Sequence, residues 1–208
     1  MRKGFGICCI LLGICCLIAS VGFIVYNHWE EEKAQIASES ILQDVRISIQ
    51  ENTHEESTPE ESVPDDPTET PEDVPQEMHT TPVGSYDCIG VLTIPVLELE
   101  LPVLSNWNYA KLKVAPCQYF GSCFENNFVI AAHNYQSHFG RLSLLQTGDL
   151  VLFTDITGTV FCYEVVLLET LPGNATEEMI TSGFDLSLYT CTPGGASRVT
   201  VRCNAISG

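Results

Sequence analysis

The sequence predicts an exported all-β domain, closed into a barrel or a sandwich with small helices on its connections, carried on a membrane helix. Three observations lead there: an uncharged apolar run of 23 residues near the N-terminus, an acidic tract that lacks large apolar side chains, and, from Cys88 onward, short strand-like runs divided by turn residues. A chain of 208 residues has room for one ordinary domain and its accessories. Acidic residues number 27 against 9 basic, for a net charge of −18, and no cluster of Lys or Arg offers a phosphate-binding face. Nucleic acid is therefore excluded as a partner.

The charge divides the chain into three. Met1 to Asn27 holds 2 basic residues and no acidic one, His28 to Asp87 holds 17 acidic and 2 basic, and Cys88 to Gly208 holds 10 acidic and 5 basic. Gly4 to Tyr26 is the uncharged run, and about 20 apolar residues suffice to cross the hydrocarbon core as a helix. Arg2 and Lys3 precede it and Glu30, Glu31 and Glu32 follow, so the positive end stays inside and the remainder lies outside the membrane. A cleaved secretory signal ending near Ser20-Val21-Gly22 is the rival reading, and it exports the same residues. Cys8, Cys9, Cys15 and Cys16 fall inside the run, where cysteine behaves as a small hydrophobe.

After the membrane, Ile36, Ile41, Leu42, Val45 and Ile49 recur at helical spacing among charged neighbours, which predicts a short amphipathic helix. Glu51 to Pro82 is rich in Glu, Asp, Pro, Ser and Thr and cannot bury enough surface to offset its ordering entropy. It is expected to be disordered. The expected organisation is thus a cytoplasmic end at residues 1–3, a span at 4–26, an acidic and flexible stalk at 27–87, and a folded domain at 88–208.

Within that domain, strands are predicted at Ile89 to Ile94, Leu99 to Leu104, Phe128 to His133, Leu150 to Thr154, Thr159 to Thr170, Leu186 to Thr192 and Arg198 to Ile206. Short helices are expected near Asn108 to Val114, Leu142 to Gln146 and Ala175 to Thr181, the last with Asn174 or Thr176 as N-cap. Asp149 and Asp155 read as turn formers, and no metal site is expected. In Leu186 to Ile206 two runs flank Pro193-Gly194-Gly195, a turn signal that predicts an antiparallel hairpin. Cys191 then ends one strand and Arg198 begins the return strand almost opposite it. Arg202 shares the face of Arg198 but lies about 13 Å further along, so it reads as a structural or surface pair.

A thiol beside a guanidinium is chemically suggestive, because the neighbouring charge favours thiolate and a fixed donor can stabilise an oxyanion. The proton carrier must be one of the two histidines of the domain. His133 closes the apolar run that begins at Phe128, as a side chain at the mouth of a buried strand would, whereas His138 lies in a polar loop and is expected to be solvated. His133 is the candidate, giving a Cys and a His distant in sequence but joined by the fold.

These residues resemble a known family. Ser187-Leu188-Tyr189-Thr190-Cys191 is similar to the T-L-x-T-C motif of sortases, Arg198 falls where that family keeps its arginine, and Ala132-His133-Asn134 resembles its histidine motif. The resemblance extends from Cys88 to Ile206 and includes Gly90-Val91-Leu92-Thr93-Ile94-Pro95 and Gly148-Asp149. Ser187 stands in place of the usual first threonine and Ala132 where glycine is common. The resemblance implies a closed eight-stranded β-barrel and a membrane-anchored cysteine transpeptidase, a peptidase-like enzyme of Gram-positive bacteria that needs no cofactor. It implies Cys191 as nucleophile, His133 as acid and base, and Arg198 as substrate and oxyanion ligand, with Thr190, Ala132 and Asn134 as candidate substrate contacts. Its implied partners are secreted proteins bearing an LPxTG-like sorting signal and a peptidoglycan precursor or other amine.

Two other functions compete. A cell-wall Cys/His peptidase of papain or NlpC/P60 type would place Cys before His and at a helix N-terminus, the reverse of the order here. A membrane-tethered binding domain would leave Cys191 incidental. Pilin-polymerising sortases often carry a lid with Asp-Pro-aromatic; Asp66-Pro67-Thr68 lacks the aromatic, which favours wall anchoring. Export permits disulfides among Cys88, Cys117, Cys123, Cys162 and Cys203, of which Cys117 and Cys123 are the closest pair in sequence.

Overall fold

The computed structural model describes residues 2–55, 78–125 and 127–206. Most of the acidic tract expected to be disordered, and the Asp66-Pro67-Thr68 tripeptide, lie outside the described residues.

One helix, α1, runs unbroken over Arg2–Glu55 and is long and apolar enough in its first part to cross a membrane. The amphipathic segment is therefore a continuation of the apolar helix and not a separate element. The chain has neither glycine nor proline between Gly22 and Pro59, so nothing interrupts the backbone hydrogen bonds. Ala34, Ser38, Ile41 and Val45 are buried at alternating four- and three-residue intervals, one stripe along the helix. Ile41 and Val45 pack with Val83, Cys88, Val91, Leu104, Ala115 and Cys117, with Leu42 and Ile49 alongside. Ile36, expected on this stripe, faces out; the small side chains of Ala34 and Ser38 take the contact instead. The first part of the expected flexible stalk is thus a rigid strut held against the folded domain.

That domain is a closed mixed barrel of eight strands, β2 to β9, with a ninth, β1, added at one edge. The strands are β1 (Thr81–Val83), β2 (Tyr86–Ile94), β3 (Leu99–Leu104), β4 (Cys117–Phe120), β5 (Phe128–Ala131), β6 (Leu150–Asp155), β7 (Val160–Pro172), β8 (Leu186–Cys191) and β9 (Ser197–Ala205). They lie in the order β1-β2-β3-β4-β5-β8-β9-β7-β6, and β6 returns to pair with β2. β5 and β8 are parallel, as are β3 and β4 at their single contact; the other pairs are antiparallel. β1 takes the first half of one edge of β2 and β6 takes the second half. The exchange occurs at Gly90, beside a bulge, where φ is +154° and an added Cβ would lie 2.2 Å from Thr154 O. Only glycine fits that closure point.

The barrel is filled by residues that alternate inward along its strands, among them Leu92, Ile94, Phe128, Ile130, Phe153, Leu186, Leu188 and Val201. Seven strands fall where the alternation predicts, to within a few residues at each end. β1 and β4 were not anticipated. Of the short helices, α2 (Tyr109–Leu112) is capped by Asn108, whose Oδ1 accepts from Lys111 N–H. A 3-10 turn spans Leu142–Leu144, and α3 (Thr176–Ile180) begins after Ala175 without a side-chain cap, so neither Asn174 nor Thr176 serves as one. Asp155 accepts from the N–H groups of Thr157 and Thr159, and Asp149 from that of Gln146, which makes both turn residues. Cys117 and Cys123 are unbridged, as are all cysteines whose side chains are described.

Candidate active site

The site is set by strand register. β5 and β8 run side by side with Ala131 opposite Tyr189. Carried two residues further, the same register brings His133, just past the end of β5, level with Cys191 at the end of β8. β8 and β9 form the expected hairpin, with Cys191 directly paired to Arg198. The three residues therefore occupy one row across neighbouring strands, each strand about 5 Å from the next. Gly194 and Gly195, both at positive φ, form the tip of the hairpin, where Gly195 N–H donates to Thr192 O at 2.8 Å.

All three side chains line one cavity of about 210 Å³. Tyr189 shares its wall, two residues before Cys191 on the same strand face. Between them Thr190 points the other way and is buried; its Oγ1 donates to Ala132 O at 2.8 Å and ties β8 to the His133 strand. Ala132 lines the cavity, while Asn134 is exposed and stands outside the lining. The remaining wall comes from the connection between β7 and β8, through Pro172, Gly173 and Met179, and from Trp107 and Tyr119. Rings step outward along it: Tyr189 to Tyr119 at 5.2 Å, Tyr119 to Trp107 at 5.3 Å, and Trp107 to Tyr109 at 5.6 Å between centroids. Sequence reasoning missed this aromatic wall; the one signal was Tyr189, inside the cysteine motif.

Electrostatics separate the groups. Burial holds His133 below the usual histidine range, and Lys113 acts in the same direction while Glu30 opposes it. The Arg198 guanidinium donates to Gly195 O at 3.0 Å and Ser197 O at 3.1 Å, on its own hairpin. No hydrogen bond among the described residues joins any two of His133, Cys191 and Arg198, so they stand as neighbours around a space. Cys191 is half-buried, whereas burial pushes Cys88, Cys117, Cys123 and Cys203 each up to about 12. Those four thiols are inert at neutral pH.

His138 departs from expectation. It is fully buried, not solvated, and neither ring nitrogen has a partner among the described residues. The loop folds back on itself: Phe139 N–H donates to His133 O, and the N–H groups of His138 and Gly140 donate to Tyr135 O, which turns His138 and Phe139 inward. Burial first, and His133 second, lower its pKa from 6.5 to about 4. In this range the unfolded chain binds more protons than the folded one, so stability is complete above the unfolded value and falls as the pH drops toward 4. Between about pH 7 and pH 5 the loss is on the order of 2 kcal/mol, and His138→Leu should flatten that part of the melting-temperature profile. Parallel profiles for variant and wild type would sink this assignment; His133 supplies a weaker slope of the same sign in both.

Comparisons with known proteins converge on one family. The sequence model of the sortase domain matches residues 92–206, more than half of the chain. Sortase A from Corynebacterium diphtheriae superimposes with a TM-score of 0.52 at 20% identity over 60% of this chain and 63% of that one. Sortase C of Streptococcus pneumoniae gives 0.51 at 25% identity, covering 58% and 70%, and a sortase D5 transpeptidase of Clostridium perfringens gives 0.52 at 22%, covering 58% and 80%. The chain thus spans somewhat less than two thirds of the length of the first. No curated protein matches it. With its own barrel carrying the matched domain from β2 to the end of β9, the chain belongs to the sortase family.

Proposed function

We propose that this chain is a membrane-anchored cysteine transpeptidase, held by α1 with its barrel outside the cell, which transfers proteins bearing an LPxTG-like sorting signal to an amine of the cell wall. The observation that carries the reading is the row of His133, Cys191 and Arg198 on one cavity. Cys191 Sγ, as thiolate, attacks the carbonyl carbon between the threonine and the next residue of the signal. The tetrahedral oxyanion is held by Arg198, which leaves its hairpin carbonyls for the substrate. As the C–N bond breaks, His133 gives its proton to the departing amine and a thioester remains on Cys191. An incoming amine attacks that thioester, the C–S bond breaks, and His133 takes the proton. Burial disfavours the imidazolium form of His133 that this step uses.

Residues 1–3 lie in the cytoplasm, 4–26 span the membrane, and 27–87 lead to the catalytic domain at 88–208; along the first part of that lead the helix is already docked on the barrel. Thr190 acts through Ala132, Ala132 borders the substrate channel, and Asn134 meets the substrate from outside the cavity. Mass spectrometry of products from a sorting-signal peptide and candidate amines tests the whole reading: a peptide joined to the amine with loss of the residues after threonine supports transfer. Free carboxylate as the sole product with every amine would make the chain a peptidase instead. Arg198→Ala should leave the thiol alkylatable and slow transfer at least about tenfold, since an oxyanion ligand acts mainly in the transition state. Turnover equal to wild type would remove Arg198 from the mechanism.

A further inference from the structure

We infer that the catalytic end of the barrel rests on the membrane surface, with the exposed aromatic rim of the cavity, Trp107 and Tyr109, set in the lipid headgroup layer. The inference rests on the anchoring part of the reading above and extends it to where the active site sits. α1 supplies the direction. Its apolar run ends at Tyr26, and Glu30, about 6 Å further along the axis at the usual helical rise, already pairs with Lys113 at 2.6 Å. Glu31 accepts from Gln136 N–H, in the loop that carries His133. Near the other end of the helix, Asn52 donates to Ile156 O at 2.8 Å, in the turn between β6 and β7.

Those contacts lie at opposite ends of the barrel. β8 is antiparallel to β9 and β9 to β7, so β7 runs in the same sense as β8. Its start, where the Ile156 turn lies, is then far from the Cys191 end of β8, and its finish at Pro172 is near it, as the lining of the cavity requires. The helix therefore meets the active-site end first and the far end roughly 33 Å later. Tilting cannot reverse that order, because the stripe from Ala34 to Val45 holds helix and barrel together.

The residues at this end suit a headgroup layer. Tyr26 and Trp29 are exposed at the end of the apolar run, as aromatic residues are where a helix leaves a bilayer. On the barrel, Tyr109 is 76% and Trp107 38% exposed, and Lys113, just past α2, binds the helix beside them. Amphipathic rings of this kind favour a boundary between water and hydrocarbon. The partner of this rim is the lipid surface crossed by α1, so substrates are engaged within the headgroup layer and not in free solution.

The chain contains two tryptophans, which makes the test direct. Trp29→Phe leaves Trp107 as the sole indole. The full chain carrying that change is reconstituted in phosphatidylcholine vesicles with a nitroxide on the headgroup, and flotation with the vesicles reports anchoring separately. Trp107 emission is expected to fall to about half or less of its value in unlabelled vesicles. Seven helix-forming residues inserted between Asn27 and His28, about two turns or roughly 10 Å, should restore the emission while a soluble sorting-signal peptide still acylates Cys191. Unquenched Trp107 in floating protein overturns the inference, as does quenching that the insertion leaves unchanged. Failure of peptide acylation in both proteins would instead strike the catalytic reading.

Discussion

Cys191→Ala is expected to abolish the thioacyl adduct that forms when the protein meets a sorting-signal peptide, as read by intact mass. No other thiol of the barrel can replace it. Cys88, Cys117, Cys123 and Cys203 are buried and each pushed up to about 12, so almost none of these thiols is ionised at neutral pH. Cys162 is exposed, yet it lies on β7 near the end where that strand begins, away from His133 and Arg198. A general base with no nucleophile in reach leaves only binding and the oxyanion ligand, which together add little once the covalent step is gone. The variant should keep its melting temperature to within a degree or so, since a half-buried thiol contributes little packing. A thioacyl adduct at wild-type level in Cys191→Ala would end the proposed chemistry.

Arg202→Ala is expected to cost about 3 kcal/mol of stability, because it removes a buried and fully hydrogen-bonded charge. The side chain is 2% exposed and fully engaged. Nε donates to Glu169 at 2.8 Å, Nη1 to Ser187 Oγ at 2.8 Å and Met179 O at 3.3 Å, and Nη2 to Glu178 O at 2.8 Å. Truncation strands the Ser187 hydroxyl and two helix-end carbonyls and leaves a cavity. Glu169 is partly exposed, so its carboxylate recovers solvent, and the loss stays below that of a fully buried pair. Because Arg202 ties down the last turn of α3, and Met179 lines the cavity, KM for the peptide should rise as well. A urea midpoint that moves by less than corresponds to about 1 kcal/mol would show that the network is dispensable.

Where the chain obeys local rules, the sequence was readable. The turn residues at Pro193 to Gly195 and the two-residue alternation around them placed Cys191 opposite Arg198, and the pairing is the one observed. Those local signals did not reveal that β5 and β8 are parallel neighbours, a long-range fact on which the placing of His133 depends. β4 escaped notice because its four residues, Cys-Gln-Tyr-Phe, meet β3 at a single position, and β1 because Thr-Pro-Val borders an acidic tract. The unbroken α1 could have been read: no helix breaker stands between Gly22 and Pro59. Polar composition drew a boundary there that the backbone ignores. His138 was misread for a similar reason, since its polar neighbours hide a loop that doubles back to bury it beside Phe139.

β8 lies between β5 and β9, hydrogen-bonded along both edges. Its amide protons should be among the slowest in the domain to exchange with heavy water, since releasing them requires parting two ladders at once. Cys191, the proposed nucleophile, ends a strand held by a ladder on either side, whereas part of the cavity wall comes from connections. In the proposed reaction, tolerance for different peptides would then come from the walls reshaping themselves around a sulfur held in place.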